Sequence, residues 1–157
     1  MTAPSSRPSA MEFLAGLRAL TVRAPSPDAS VHAVLGPGGT SVELGDTAGR
    51  DPGGLARQIA AALTRAQREY RDALCVLMGG EVPDAPPGPL VAGLEDALGA
   101  ITVEAASPGG LARVRRHGAI GVSVELAPGA PGHPALPAEL DAALRAADRA
   151  FAARFAS

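Results

Sequence analysis

The chain has no lysine and no tryptophan, a single cysteine, and aromatics at only 3% of its 157 residues. Each shortage excludes something. With Cys75 alone, an internal disulfide is impossible, and an oxidising compartment loses its main support. With so few aromatics, the core must be built from Leu, Val, Ile and Ala, leaving few large anchors for stacking on bases or gripping a partner. No apolar run reaches membrane-spanning length, so no membrane association is expected. Phe13-Leu14-Ala15-Gly16-Leu17 is cut short by Arg18 and lacks a basic leader, so it does not read as a signal peptide. A soluble cytoplasmic protein is expected. The absence of lysine, beside an excess of Ala, Gly and Pro, reads as genome composition bias rather than chemistry. A net charge of −2 and a pI near 5.9 rule out bulk attraction to nucleic acid, so any such binding needs a local Arg patch.

What the chain does have is self-similarity at an offset of about 81 residues. Leu20-Thr21-Val22-Arg23-Ala24-Pro25-Ser26-Pro27 returns as Ile101-Thr102-Val103-Glu104-Ala105-Ala106-Ser107-Pro108. Ser41-Val42-Glu43-Leu44 returns unchanged as Ser123-Val124-Glu125-Leu126. Leu55-Ala56-Arg57-Gln58-Ile59 answers Leu136-Pro137-Ala138-Glu139-Leu140, and the register holds through Leu63/Leu144, Ala66/Ala147, Arg68/Arg149 and Tyr70/Phe151. Such a series implies one small unit written twice. Each unit, at roughly 65–75 residues, is near the size where an isolated core is marginal, so the two are expected to pack as one body.

Met1–Ala10 is Ser/Pro-rich and aperiodic, and reads as a disordered tail. The first unit, 11–80, reads as a short helix over Met11–Ala19 and strands over Leu20–Ala24, Val31–Leu35 and Thr40–Leu44. Gly36-Pro37-Gly38-Gly39 is a turn between the last two strands. Then comes the strongest helical signal, Leu55–Met78. There Leu55, Ile59, Leu63, Ala66, Tyr70, Leu74 and Leu77 recur at spacings of four and three, with Arg57, Arg68 and Arg71 on the opposite face. Gly79-Gly80 stops it. A Pro-rich linker, within 81–89, precedes the second unit, 90–157. That unit repeats the order: a short helix over Leu90–Leu98, strands over Ile101–Ala105, Leu111–Arg116 and Val122–Leu126, and a helix opened by Pro137 with the stripe Leu140, Leu144, Ala147, Phe151 and Phe155. The expected class is α+β: two copies of a three-stranded antiparallel meander crossed by a long helix, packed as a pseudo-dimer.

No motif announces an enzyme. Gly36-Pro37-Gly38-Gly39 lacks the Gly-Lys-Ser/Thr ending of a phosphate loop and leads into a strand. His32, His117 and His133 have no metal-ligand spacing with one another or with Cys75, and neither metal nor cofactor is expected. Cys75, among Leu74, Val76, Leu77 and Met78, reads as a small apolar filler. The notable polar features are Arg groups. Arg113, Arg115 and Arg116 form the densest basic stretch, at a strand end, and alternation puts Arg113 and Arg115 on one face. Arg57, Arg65, Arg68 and Arg71, with Arg145, Arg149 and Arg154, decorate the two long helices. Guanidinium groups so placed can take up backbone phosphates without reading sequence. The alternative is a solvated face, with several paired to Glu69, Asp72, Asp141 or Asp148.

The run Gly109-Gly110-Leu111-Ala112-Arg113-Val114-Arg115-Arg116-His117-Gly118, followed by Val122-Ser123-Val124-Glu125-Leu126 and the Leu/Ala-rich helix Leu140–Phe155, resembles the core of the YbaB/EbfC family of nucleoid-associated proteins. The first copy is similar to the actinobacterial version, from Ser26-Pro27-Asp28 through Val31, a Gly turn, Val42-Glu43-Leu44 and Leu55-Ala56. The resemblance spans about 20–78 and 100–156. It implies a helix–three-strand–helix fold that dimerises, and DNA binding with little sequence preference in the nucleoid. Family members begin with a long charged helix, for which Met11–Ala19 and Leu90–Leu98 are short substitutes. Arg113 is the clearest basic match, and its counterpart in the first copy is His32. The leading expectation is thus a non-enzymatic nucleoid protein with Arg113, Arg115 and Arg116 as foremost phosphate contacts. The alternative is a protein-interaction module, with a protein partner or homo-oligomer, that keeps the fold without DNA.

Overall fold

The structure, a computed structural model, describes residues 9–77, 99–118 and 120–156. Residues 1–8 of the tail expected over Met1–Ala10, the Gly79-Gly80 stop, the Pro-rich linker and the helix over Leu90–Leu98 lie outside the described residues, as does the side chain of Phe155. Helix α1 runs Ala10–Ala19. It is followed by β1 (Val22–Pro25), β2 (Val31–Gly36), β3 (Gly39–Leu44) and α2 (Pro52–Leu77). Then come β4 (Thr102–Ala106), β5 (Ala112–His117), β6 (Val122–Leu126) and a last long helix, α3 (Leu136–Ala156). The strands form two antiparallel three-stranded sheets, β1-β2-β3 and β4-β5-β6.

Two helix starts differ from the sequence expectation, each for a local reason. Ser9, placed in the expected tail, caps α1 by accepting the Glu12 amide at 3.2 Å. Helix α2 begins three residues before Leu55. Asp51 Oδ2 accepts the Gly54 amide at 2.8 Å, and Pro52 fills the first helical position, where a missing N–H costs nothing. A capping acid and a proline thus carry the helix through Gly53-Gly54, ahead of the expected start at Leu55. Pro137 does lie in the first turn of α3.

The tight turns show the same chemistry at Ser26 and Ser107. Ser26 Oγ accepts the Val31 amide at 3.1 Å, and Ser107 Oγ accepts the Ala112 amide at 3.0 Å. Both turns carry a left-handed residue three positions on, Ala29 at φ 61° and Gly110 at φ 74°. The first turn is further tied by Asp28, whose Oδ1 accepts from Ser30 N at 2.9 Å and from the Ser26 hydroxyl at 3.0 Å. The Ser30 hydroxyl donates there too, and this bond foremost holds the Asp28 carboxyl far below the usual carboxylate range.

Alternation gives each sheet one apolar face. In the first sheet, Val22, Ala24, Val31, Ala33 and Val42 are buried; in the second, Val103, Ala112, Val114 and Val122. The helices bury Leu55, Ile59, Ala62, Leu63 and Ala66, and Leu136, Leu140, Ala143, Leu144 and Ala147. All belong to one core cluster except Val103. Small Ala side chains at the contact let each helix axis approach closely, which is how a core with few aromatics is filled.

The helices do not keep to their own sheets. Helix α2 packs on β1 and β2 but also on β6, and α3 packs on β4 and β5 but also on β3. Hydrogen bonds tie the same junctions. Thr40 Oγ1 on β3 donates to Asp148 Oδ2 on α3 at 2.9 Å, and Gly121 N, just before β6, donates to Gln67 Oε1 on α2 at 2.8 Å. Gly132 N also donates to Thr47 Oγ1 at 2.8 Å, joining the loops that lead into the two helices' regions. Because Leu63 and Leu144 both serve this common core, Leu63→Ala and Leu144→Ala should each lower unfolding stability by ~2–5 kcal/mol in urea titrations. A loss below ~1 kcal/mol would mean that the sites are not packed as described.

Candidate nucleic-acid interface

Strand β5 presents its arginines on opposite faces. Its register pairs Arg113 with Glu125, Val114 with Val124, Arg115 with Ser123 and Arg116 with Val122. Arg113 and Arg115 therefore point outward together, while Arg116 shares the inner face with Ala112 and Val114. On the outer face Glu104 serves both arginines, forming an ion pair with Arg113 Nε at 3.2 Å and accepting from Arg115 Nη2 at 3.0 Å. Glu125 stands beside Arg113, and His117 Nε2 lies 2.9 Å from Ser123 Oγ. Two acids thus face two arginines, and that surface is mixed in sign rather than basic.

Arg116 is held inward. Its Nη1 donates to Asp148 Oδ1 at 2.9 Å, its guanidinium lies 4.1 Å from the Phe151 ring centroid, and its side chain is only 16% exposed. The three arginines read from the sequence as one cluster are thus split two and one. Strict alternation from Ala112 through Val114 to Arg116 was the signal that places Arg116 on the apolar face.

The outer face of the first sheet is also neutralised. Arg23 donates Nε and Nη2 to Glu43 Oε2 at 3.0 and 2.7 Å, holding the Glu43 carboxyl below its ordinary value. His32, the counterpart of Arg113, is half-buried between Pro25 and Glu43.

The helices behave differently. On α3 the acids turn toward strand β3: Asp148 to Thr40 and Arg116, and Asp141, whose Oδ1 accepts the Val42 amide at 3.1 Å. Arg145 and Arg149 remain on the solvent side, exposed, with Arg154 exposed beyond them. On α2, Arg65 pairs with Glu69 at 3.1 Å and Arg71 with Asp72 at 3.3 Å, while Arg57 and Arg68 are exposed. Among the described residues, Arg57, Arg68 and Arg149 make none of the observed ion pairs. Arg68 and Arg149 are the matched pair of the 81-residue register, one on each long helix.

The remaining candidates are structural in placement. His133 Nδ1 accepts the Ala135 amide at 3.0 Å at the entrance to α3, and Cys75 is half-buried on α2. No described group of three or more His, Cys, Asp or Glu side chains is arranged to hold a metal ion. No helix among the described residues is long and apolar enough to cross a membrane. Comparison with protein-family models, curated proteins and solved structures finds no match to this chain.

Asp141 yields a test of the inward-turned acids. Burial pushes its carboxyl up, against the Val42 amide and the Arg145 charge, which pull it down. A raised carboxyl holds its proton more tightly in the folded state. This group therefore opposes folding when ionised, and stability from it rises as pH falls through the raised value toward the ordinary carboxylate range. Asp141→Asn keeps an oxygen for Val42 and removes the charge. Thermal melts should find this variant at least as stable as wild type at neutral pH, with the difference shrinking as pH falls to ~4. Asp141→Ala, which orphans the Val42 amide, should cost ~1 kcal/mol or more. Equal losses in both variants would contradict this reading.

Proposed function

We propose that the chain is a non-enzymatic, nucleoid-associated protein of the cytoplasm that binds DNA through phosphate contacts with little sequence preference. We further propose that it is a tandem duplication of one YbaB/EbfC-like unit, closed on itself as a pseudo-dimer. The observation that carries the DNA reading is the sorting of charge on the long helices. On α3, Asp141 and Asp148 spend hydrogen bonds on β3 and Arg116, and Arg149 faces water outside the observed ion pairs, as Arg57 and Arg68 do on α2. Uncompensated guanidinium groups on rigid helices suit phosphate oxygens and do not depend on base identity. The duplication is supported by the equal strand orders, the shared Ser26 and Ser107 turn geometry and the reciprocal packing of the helices.

This placement moves the favoured contacts from the strand to the helices. Arg113 and Arg115 are already satisfied by Glu104, and Arg116 is spent on Asp148 and Phe151. The same mixed-sign outer sheet favours a second reading, a protein-interaction module using that face, because alternating charge encodes partner choice better than phosphate affinity.

Fluorescence anisotropy on a short duplex at low salt separates the two. Wild type should bind with a steep salt dependence. An Arg57→Ala, Arg68→Ala, Arg149→Ala triple variant should bind at least about tenfold more weakly and flatten the log–log salt slope by roughly 3. An Arg113→Ala, Arg115→Ala variant should be nearly unchanged. No binding by wild type at any salt would remove the DNA function. Loss confined to the strand variant would move the contacts back to the sheet.

A further inference from the structure

Where the two halves meet, a cleft of about 330 Å3 opens between α2 and the inner end of β5. Its apolar wall is Leu35, Tyr70, Leu74 and Ile120, and two arginines, Arg71 and Arg116, also line it. The exposed lining is mostly apolar by area, with Thr40, Gln67 and Asp148 as further polar groups, a size and mix found at small-molecule sites.

Arg116 is the anomaly. At the same position of the first sheet's second strand, 81 residues earlier, the chain has Leu35, and both side chains border this cleft. A guanidinium has been put where packing alone is met by leucine. Asp148 and Phe151 account for Nη1 and the flat face, yet Nε is buried with no acceptor. A buried N–H without an acceptor is costly, so an arginine here is held at greater expense than the leucine of the first sheet. Asp148, the acid in the cleft, is already engaged. Its Oδ1 is taken by Arg116 and its Oδ2 by the Thr40 hydroxyl. Arg71 is tied only to Asp72, at 3.3 Å and at an exposed position. With Arg71, Arg116 and Asp148 counted together, the lining carries one net positive charge.

We infer that this cleft binds a small amphiphilic carboxylate, whose anionic head pairs with the Arg71 and Arg116 side chains that line it while its apolar body lies on Leu35, Tyr70, Leu74 and Ile120. The site does not depend on DNA binding. It is assembled from both halves, so its occupant bridges them and should raise the thermal midpoint of the whole chain.

The protein offers its own reporter. Tyr70 is the sole tyrosine in a chain without tryptophan, so ultraviolet emission comes chiefly from the cleft. The full chain is titrated with octanoate and, separately, with 1-octanol. Octanoate should change Tyr70 emission saturably and raise the thermal midpoint, and 1-octanol, which has the tail without the charge, should do neither at equal concentration. Arg116→Leu, which copies the residue at the matching position, should bind octanoate about tenfold more weakly, the loss of one charge-assisted contact. Arg71→Gln, at an exposed position that leaves the fold intact, should bind several-fold more weakly and carries the test if Arg116→Leu does not fold. The inference is overturned if octanoate moves neither readout, if 1-octanol matches it, or if the folded arginine variants bind like wild type.

Discussion

Each sheet depends on a helix that belongs to the opposite half. Strand β3 is covered by α3 and strand β6 by α2, while the first two strands of each sheet lie under the helix that follows them. Neither half can bury its third strand alone. A unit of ~70 residues already has little margin from its own apolar area. Sharing the helices merges two marginal cores into one cluster running from Val22 to Ala147. It also shields the sheet edges. The Val42 amide on β3 goes to Asp141, and the backbone entering β6 goes to Gln67, so these edges do not offer free donors there to another strand.

That demand shapes the surface. Asp141 and Asp148 face β3 to satisfy it, and once they turn inward Arg149 is left outside the observed ion pairs, while Arg145 still acts on the Asp141 charge. The cationic charge exposed on α3 is in this sense a by-product of how the halves interlock. On the sheets the opposite holds. Cross-strand pairing brings Glu104 to Arg113 and Arg115, and Glu43 to Arg23, and the outer faces neutralise themselves. On the long helices, Arg57, Arg68 and Arg149 thus stay exposed outside the observed ion pairs, although the chain as a whole is acidic.

Much of the architecture was legible because it follows from local periodicity. Alternation located six strands to within a residue or two, and the Leu55–Ala66 and Leu140–Phe151 stripes became the buried faces of the long helices. Local reading failed where a side chain satisfied the backbone at a helix start, as Ser9 and Asp51 do. It failed more widely for contacts between distant segments. Nothing near Asp148 in the chain announces Thr40 or Arg116, and nothing near Gly121 announces Gln67. Arg116 lies between these cases. Parity along β5 assigned it to the inner face, but the density of neighbouring arginines outweighed parity. The cleft was invisible for the same reason as the junction, since its walls come from residues as far apart as Leu35 and Asp148.

The central physical claim is that both sheets and both long helices form a single cooperative body. Native-state hydrogen exchange across low denaturant tests it most directly. Amides in the middle of β2, around Ala33, and in the middle of β5, around Val114, should converge on one opening free energy, because losing either helix uncovers strands in both sheets. Two distinct energies, with one sheet opening while the other stays protected, would contradict the account.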